Sequence, residues 1–392
     1  MAEELAYVLV NPYTLFKSRT GGVLSRLLSR TALDFVAARV FAPSKELIDE
    51  YVSAIVTESD PQPKQVQELI RQYIVENYAP DAQTGRRRRV LSLVFRGDDA
   101  VQKVRNVVGH IRPGGPVRGV AIRDTYGDYV LGPRGEVKYF EPAVLAAPTR
   151  EGAAFKLKLW ARYSDKDGAL VENTIEYPAG VKPQRTLVLI KPDNFVFPSG
   201  RPGNMIDVFS STGLYIVGMK VHRMSVGQAE EFYGPVREVL RTKLKSVALS
   251  RVLPGLEQAL DTKLPGDVVE KLGDLIGPCF GEAQFEQIVK FMAGHAPSEC
   301  DAKQKRAAGT AKCIAIVYEG VEAVRKIREV LGPTDPKKAG PGTIRREFGQ
   351  SIMVNAAHAS DSPENAQREI GIVNLAENNF KQVVQDFYGN LK

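Results

Sequence analysis

Short apolar runs and amphipathic stretches follow one another in a regular order along the C-terminal half of the chain. Residues 186–190 form a short, largely apolar run, as in a buried strand, and 204–211 carry apolar side chains on one helical face. The same patterns predict strands at 214–221 and 314–318 and helices at 229–240 and 321–331. Strands and helices in this order predict an α/β sandwich, in which helices cover a small sheet.

The pattern is repeated within the chain. Residues Val90–Gly109 align without a gap with Cys313–Gly332, and eight of the 20 positions are identical. Two further blocks match in the same order, 7–12 with 187–192 and 22–44 with 203–225. Several matching blocks in one order indicate an internal duplication.

The duplication predicts two related domains, at about 1–150 and 185–392. The connector at 151–184 contains an alternating stretch and an Asp-Lys-Asp-Gly turn signal, a pattern compatible with a β-hairpin. The second domain is longer because of insertions at about 235–283 and 295–311. Helical spacing of leucines predicts that the first insertion is helical. We expect it to pack against a neighbour, and a mobile lid over a site is the alternative.

Composition and charge restrict the classes of protein to which this chain could belong. The 392 residues carry 53 Lys and Arg against 46 Asp and Glu, a net charge of +7. This mild excess suits a protein that handles phosphates or nucleotides and is too small to indicate nucleic-acid binding. The three cysteines lack metal-ligand or disulfide spacing. No apolar run could span a membrane, and the first residues lack a basic signal-peptide region, so we expect a soluble cytoplasmic protein.

The one strong charge run is Arg86–Arg89. It follows a loop-like sequence and precedes a predicted strand, without the interleaved aromatic residues that single-strand binders use. We interpret it as a solvated loop, with nucleic-acid binding as the alternative.

Candidate chemistry centres on His358. No phosphate-loop or dinucleotide motif is present. His358 lies just before Ser360, Asp361 and Ser362, which can cap a helix that begins at Pro363, and a helix N-terminus favours an anion. Glu369 in that helix could reach a ring nitrogen and fix the tautomer. The cations Lys191, Arg328 and Arg345 would suit phosphate contacts, so the set predicts a phosphoryl acceptor.

The second domain resembles nucleoside diphosphate kinases. The resemblance is carried by Thr186–Asp193, Gly213–Lys220, Tyr318–Val321, Arg328, Leu331-Gly332, Thr334–Pro336, Pro341–Arg345 and the run Asn355-x-x-His358-x-Ser360-Asp361-Ser362 with Glu364 and Glu369. It covers nearly all of 185–370 apart from the insertions, and the last motif is highly specific. One departure is Ala359, which stands where the family usually has glycine.

The resemblance implies a fold and a mechanism. The fold is a ferredoxin-like α+β sandwich with an antiparallel sheet covered by helices, in both copies. His358 would take the γ-phosphate of a nucleoside triphosphate and pass it to a diphosphate in ping-pong order, with Glu369 and Ser360 orienting the ring. Nucleotide-binding roles would fall to Lys191, Tyr233, Phe285, Ile288, Arg328, Thr334, Arg345 and Asn355. Mg²⁺ would be held mainly by the phosphates and water, and homo-oligomers would form.

The first domain reads as a degenerate copy. Asn11 stands where Lys191 stands, while Arg105 and Arg123 match Arg328 and Arg345. Residues 137–142 fall where the histidine is expected, so this copy should not transfer phosphate. We expect a structural role, as half of an intrachain pseudo-dimer, with nucleotide binding as the alternative.

The sequence therefore predicts a nucleoside diphosphate kinase with one working site per chain. The alternative is a non-catalytic scaffold that binds nucleotides or nucleic acid.

Overall fold

The computed structural model describes residues 3–113 and 119–391. The chain forms two compact units, one of residues 1–221 and 314–392 and the other of residues 222–313. The larger unit contains the paired sheets of the duplication, and the smaller unit contains both predicted insertions. The predicted domains at 1–150 and 185–392 include residues 1–2, 114–118 and 392, which lie outside the described ranges.

The N-terminal copy folds around one antiparallel sheet. Its sheet strands are β1 (Glu3–Val10), β2 (Asp34–Phe41), β3 (Val90–Asp98) and β6 (Val144–Ala146), in the order β2-β3-β1-β6, and β4 (Asp128–Leu131) and β5 (Val137–Glu141) form a separate hairpin. Its helices are α1 (Pro12–Phe16), α2 (Thr20–Thr31), α3 (Lys45–Ser53), α4 (Lys64–Tyr78), α5 (Ala100–Val108) and α6 (Ile122–Tyr126).

The C-terminal copy repeats this architecture. Its strands are β7 (Gln184–Ile190), β8 (Tyr215–His222), β9 (Cys313–Gly320) and β10 (Ala357–Ala359), in the equivalent order β8-β9-β7-β10. Its helices in the larger unit are α8 (Arg201–Ser210), α12 (Ala323–Leu331), α13 (Ile344–Phe348), α14 (Pro363–Val373) and α15 (Asn379–Tyr388). The predicted strands and helices are confirmed, and the fold is the expected ferredoxin-like α+β sandwich.

The apolar pattern accounts for these elements. Leu187–Ile190 of β7 are fully buried, because helices cover the sheet. On α12 the buried residues Ala323, Val324, Ile327 and Leu331 recur at helical spacing and form one apolar face. The helix ends at Gly332, whose φ of +81° suits glycine.

Unusual backbone angles recur at matching positions of the two copies. Asp99 and Glu322 precede α5 and α12 with φ of +53° and +54°. Ala143 and Ala356 precede β6 and β10 with φ of +60° and +70°. Residues other than glycine rarely adopt positive φ, so these coincidences indicate two copies of one fold.

The two copies contact each other inside the larger unit. Helix α2 packs on α8, and a Cβ atom on Gly21 would lie 2.4 Å from the carbonyl oxygen of Gly203. The Ala169 N–H donates to Val40 of β2 at 3.1 Å, and the Val171 N–H donates to Val217 of β8 at 2.9 Å. The part of the connector around residues 169–171 therefore covers an edge strand of each sheet, where unpaired backbone groups would otherwise be exposed.

The hairpin predicted in the connector is wrong, because this segment forms α7 (Arg150–Asp167). Thr149 caps the helix by accepting a hydrogen bond from the Gly152 N–H at 3.1 Å. Ala153, Leu157, Trp160 and Ser164 are buried at helical spacing. Alternation over a few residues is compatible with a strand and with a helix. This segment is helical because a helix buries the larger apolar face.

The smaller unit confirms that the first insertion is helical. It contains α9 (Val226–Lys243), α10 (Lys245–Leu260) and α11 (Gly266–Ala293), with short 3₁₀ turns at Pro297–Glu299 and Gln304–Arg306. A Cβ on Gly281 of α11 would lie 2.6 Å from Arg241 Cα, so the missing side chain allows close helix packing. Among the helices of the described residues, none is long and apolar enough to cross a membrane.

Candidate functional site

His358 lies on the short strand β10, beside the central strand β7. The two strands pair antiparallel, with His358 opposite Leu189. The Ser360 N–H donates to the Leu187 carbonyl at 3.1 Å and extends this pairing past the strand end. The histidine backbone is therefore held by the core sheet, while 21% of its side chain stays exposed.

The ring of His358 is held by a buried carboxylate from α14. The His358 Nε2 atom lies 2.9 Å from Glu369 Oε2, and the Ser360 hydroxyl donates to the same oxygen at 2.7 Å. Ser362 caps α14 by accepting a hydrogen bond from the Asn365 N–H at 3.0 Å, which fixes where the helix begins. Glu369, eleven residues after His358, therefore contacts the ring, as the sequence predicts.

This contact defines the tautomer of His358. An ionised carboxylate only accepts hydrogen bonds, so Nε2 must carry the hydrogen. In the neutral ring the lone pair available for chemistry is then on Nδ1. Arg368 lies 3.5 Å from Oε1 of Glu369 and adds a positive charge beside this carboxylate.

Lys191 lies directly after β7 and is almost fully buried. Its Nζ donates to Asn355 Oδ1 at 2.7 Å and to the Met353 carbonyl at 3.2 Å. Burial, and secondarily the nearby Arg345, lowers the pKa of Lys191 to about 8, and Asp193 partly opposes this shift. Lys191 is therefore a desolvated cation, in the setting where an added anion gains most.

Arg345 connects two loops around the site. Its guanidinium donates to the Gly332 carbonyl at 3.0 Å and to the Ala357 carbonyl, beside His358, at 3.3 Å. The Asn355 amide donates to the Thr334 carbonyl at 3.1 Å. Lys191, Arg345 and Asn355 thus form one connected group with the strand of His358.

Arg328 and Thr334 are exposed, and their predicted phosphate contacts stay predictions. Arg328 makes no hydrogen bond or ion pair from its side chain to any described residue. It lines an open groove of about 550 Å³ with Asp361 and Pro363, at the start of α14.

Three predicted nucleotide contacts lie in the smaller unit. Tyr233 on α9 is 8% exposed, and its ring lies 5.0 Å from that of Phe232. Phe285 on α11 is 1% exposed, with the Arg237 guanidinium 5.1 Å from its ring centroid. This burial argues against base stacking by Phe285, because a stacking ring needs an open face. Ile288 is half-buried on the same helix, and its role and that of Tyr233 stay predictions.

Two residues important to the site were not predicted. The buried Asn194 amide donates to the carbonyls of Ala356 at 2.8 Å and Lys191 at 3.1 Å, joining the two loops that carry the site. Arg201 donates to Asn194 Oδ1 at 3.2 Å and to the Phe348 carbonyl at 2.7 Å. Such bonds depend on loop geometry. The one sequence signal for Asn194 is its position three residues after Lys191.

In the N-terminal copy the predicted position of the missing histidine is wrong. Residues 137–142 include β5 of the separate hairpin, whereas Leu145 on β6 pairs with Leu9 as His358 pairs with Leu189. Leucine cannot accept a phosphoryl group, so this copy lacks the nucleophile, as the sequence predicts.

The equivalent of Lys191 in this copy belongs to a different network. Asn11 donates to the buried Glu141 carboxylate at 3.0 Å and accepts from the Tyr78 hydroxyl at 2.6 Å. Tyr73 donates to the other oxygen of Glu141 at 2.5 Å. Arg123 donates to the Gly109 and Val144 carbonyls, as Arg345 does to their counterparts. These contacts favour a structural role for the retained arginine.

The arginine run Arg86–Arg89 is also engaged within the chain. Its contacts are ion pairs of Arg86 with Glu176 (2.6 Å), Arg87 with Asp167 (3.1 Å) and Arg88 with Asp81 (4.0 Å), and a hydrogen bond from Arg89 to the Ile216 carbonyl (2.6 Å). These partners favour a structural role over nucleic-acid binding. Arg89 reaches from one copy to the other.

The groups around His358 suit phosphate oxygens better than a metal ion. Among the described residues, no group of three or more His, Cys, Asp or Glu side chains could hold a metal. Lys191 and Arg345 are cations, and the one carboxylate at the ring, Glu369, is occupied by His358 and Ser360. Desolvated cations attract anionic oxygens and repel a bare metal ion.

For the predicted phosphoryl transfer through His358, replacing Glu369 with glutamine should lower kcat by about 100-fold, with little change in nucleotide KM. The neutral amide removes the charge that stabilises a positive ring and leaves the phosphate contacts intact. Steady-state kinetics separate the two constants, and Glu364→Gln, an exposed carboxylate of the same helix, is the matched control. An increase in KM alone would show that Glu369 acts in binding instead.

Comparisons with known proteins identify the family of this chain. A sequence model of the nucleoside diphosphate kinase family matches residues 184–294 and 281–378, both in the C-terminal copy. Nucleoside diphosphate kinases of Campylobacter hominis and Helicobacter pylori are each 32% identical over 187 residues, covering 48% of this chain and 92% of theirs. A solved nucleoside diphosphate kinase of Aquifex aeolicus is 28% identical, covering 49% of this chain and 95% of its own, with a TM-score of 0.32. The chain belongs to the nucleoside diphosphate kinase family.

Proposed function

We propose that this protein is an active nucleoside diphosphate kinase with one working site per chain, built on His358. It transfers the γ-phosphate of a nucleoside triphosphate to a nucleoside diphosphate through a phosphorylated histidine. The observation that supports the proposal is the 2.9 Å contact between the buried Glu369 carboxylate and His358 Nε2, which leaves Nδ1 as the ring atom with the lone pair. The buried cation Arg345 donates to the carbonyl of the preceding residue, Ala357, and Lys191 is a second buried cation of the connected group.

In the first half-reaction the Nδ1 lone pair attacks the γ-phosphorus. The bond between this phosphorus and the β–γ bridging oxygen breaks, and the diphosphate leaves with that oxygen. The ring becomes positively charged, and the Glu369 carboxylate stabilises it through Nε2–H. Lys191 and Arg345 attract the negative oxygens, and a second diphosphate then takes the phosphoryl group by the reverse path.

Magnesium would enter as part of the nucleotide substrate. Mg²⁺ keeps much of its water shell and binds phosphate oxygens readily, so a magnesium–nucleotide complex fits this cationic site. A cytoplasmic location and a homo-oligomer belong to the same proposal. The three cysteines lie in the described part of the chain and form no disulfide, which agrees with a reducing compartment.

Initial-rate kinetics test the proposal. With ATP varied at several fixed dTDP concentrations, a phosphoenzyme mechanism gives parallel double-reciprocal lines. Intersecting lines would contradict it, because they require both nucleotides on the enzyme at once. Nucleotide binding without turnover would favour the scaffold alternative.

The lowered pKa of Lys191 predicts a basic limb in the pH profile. The protonated amine attracts phosphate, and it is lost as pH rises through about 8 in the unliganded protein. We expect kcat/KM, which reports the unliganded enzyme, to fall toward tenfold per pH unit above pH 8. Lys191→Met should be slower throughout and lack this limb. An identical fall in the variant would assign the limb to another group.

A further inference from the structure

Two bonded side chains, Asn194 and Arg201, support the loops on which the site is built. Asn194 is 2% exposed, and its amide uses both of its donors and both acceptor positions of its oxygen. The nitrogen donates to the carbonyls of Ala356 and Lys191 at 2.8 and 3.1 Å. The oxygen accepts from Nε and Nη2 of Arg201, both at 3.2 Å. This one side chain therefore holds the residue two positions before His358 and the backbone of the buried lysine.

Arg201 extends the connection to the helix of Arg345. Its Nη2 also donates to the Phe348 carbonyl at 2.7 Å, and its guanidinium lies 5.7 Å from the Phe348 ring centroid. Phe348 is the last residue of α13, and Arg345 lies in the first turn of that helix. The backbone segments of Lys191, Arg345 and His358 are thus joined through one amide and one guanidinium.

The backbone that Asn194 holds has an unusual conformation. Ala356 has a φ of +70°, which residues other than glycine rarely adopt, and such backbone persists where the surrounding structure holds it. Its carbonyl accepts from the Asn194 amide and from the Lys191 N–H, the latter at 2.9 Å. The next residues, 357–359, form the short strand of His358. A shift of Ala356 would therefore move the strand that carries the histidine.

The N-terminal copy contains both halves of this arrangement without the link between them. Thr14, three residues after Asn11, donates at 2.8 Å to the carbonyl of Ala143, whose φ is +60°. Arg19 donates at 2.9 Å to the carbonyl of Tyr126, the last residue of α6. In the part of the chain that the structure describes, the side chains of Thr14 and Arg19 share no hydrogen bond.

This comparison of the two copies separates the needs of the fold from those of the site. Both copies have the bond to the positive-φ alanine and the arginine bond to the aromatic residue, so these contacts belong to the common fold. The bonds of the amide to Arg201 and to the Lys191 carbonyl occur in the copy that has the histidine. A threonine hydroxyl has one donor and cannot supply both bonds of the amide nitrogen. The additional bonds therefore accompany the site.

We propose that Asn194 is a positioning residue for phosphoryl transfer, which couples Arg201 to the backbone of Lys191 and to the strand of His358. This inference rests on the proposed kinase activity. The coupling fixes the phosphoryl acceptor and the buried cation relative to each other before a nucleotide binds. Such placement matters because a displacement of about 1 Å can lower a rate on the order of 100-fold.

Exchanging Asn194 for its counterpart in the other copy tests this role. Asn194→Thr keeps a donor for the Ala356 carbonyl and removes the link to Arg201. We expect kcat to fall about tenfold and nucleotide KM to change less than about twofold. The matched control is Thr14→Val, which removes the equivalent bond of the N-terminal copy and should lower Tm without changing kcat. Tm values of the same preparations show whether each variant is folded.

A double-mutant cycle tests the coupling itself. The fall in kcat for Asn194→Thr combined with Arg201→Met should be smaller than the product of the two single falls, because part of the effect of Arg201 passes through Asn194. Falls that multiply would overturn the coupling.

The outcomes separate this inference from the proposed function. If wild type transfers phosphate and Asn194→Thr keeps its kcat, the positioning role is wrong and the kinase proposal is unaffected. A wild type without transfer would overturn both. An equal fall in kcat for Thr14→Val would assign the effect to the fold and overturn the positioning role. Asn194→Ser, which also keeps one donor, repeats the test if the threonine variant does not fold.

Discussion

Replacing His358 with alanine is expected to abolish phosphoryl transfer, with a fall in kcat of about 10⁴-fold or more. His358 supplies the ring nitrogen of the proposed transfer, and the buried Glu369 carboxylate positions that ring. Lys191 and Arg345 would still attract nucleotide phosphates, so nucleotide affinity should change little. Measuring ATP-to-dTDP transfer and ADP binding on the same preparation separates the two effects.

His295→Ala is the matched control for this experiment. His295 is exposed in the smaller unit, and its replacement should leave transfer unchanged. If His358→Ala retained a tenth of the wild-type rate, the covalent mechanism would be wrong. Equal losses in both variants would indicate damage to the fold rather than to the nucleophile.

Replacing Gly21 with alanine is expected to lower the thermal unfolding midpoint of the larger unit by about 5–10 °C, equivalent to roughly 3 kcal/mol. The added Cβ would lie 2.4 Å from the Gly203 carbonyl oxygen and 2.6 Å from the Asp207 backbone nitrogen. Both neighbours are backbone atoms of α8, so relief requires α2 and α8 to move apart. Differential scanning calorimetry measures the change.

The same substitution elsewhere should have the opposite sign. Gly371 on α14 has no atom within 4 Å of an added Cβ, and Gly371→Ala should stabilise its helix by about 0.5–1 kcal/mol. A Gly21→Ala protein as stable as wild type would contradict the close packing of α2 on α8.

Three strands of each sheet could be predicted because their sequences are largely apolar and repeated. The run 186–190 and the helix ending at Gly332 match β7 and α12 closely. The connector could not be predicted from alternation alone, since its decisive feature is the burial of Trp160 and Leu157 on one helical face. Tertiary packing sets that choice, and local periodicity does not report it.

The site was predictable where its members share a local motif. His358, Ser360 and Glu369 lie within twelve residues on one strand and the helix that follows it, so local geometry brings them together. Asn194 and Arg201 join loops that are distant in sequence, and no spacing indicates such bonds. The replacement of histidine by Leu145 was misplaced because the hairpin of β4 and β5 lengthens the N-terminal copy before β6.

The most direct test of the central claim is chemical. The full chain is incubated with γ-³²P-labelled ATP and Mg²⁺, beside His358→Ala, and the protein-bound label is tested for acid lability and base stability. We predict one acid-labile, base-stable label per wild-type chain, discharged by a nucleoside diphosphate, and none on the variant. Equal labelling of both proteins, or an unlabelled wild type, would contradict phosphoryl transfer through His358.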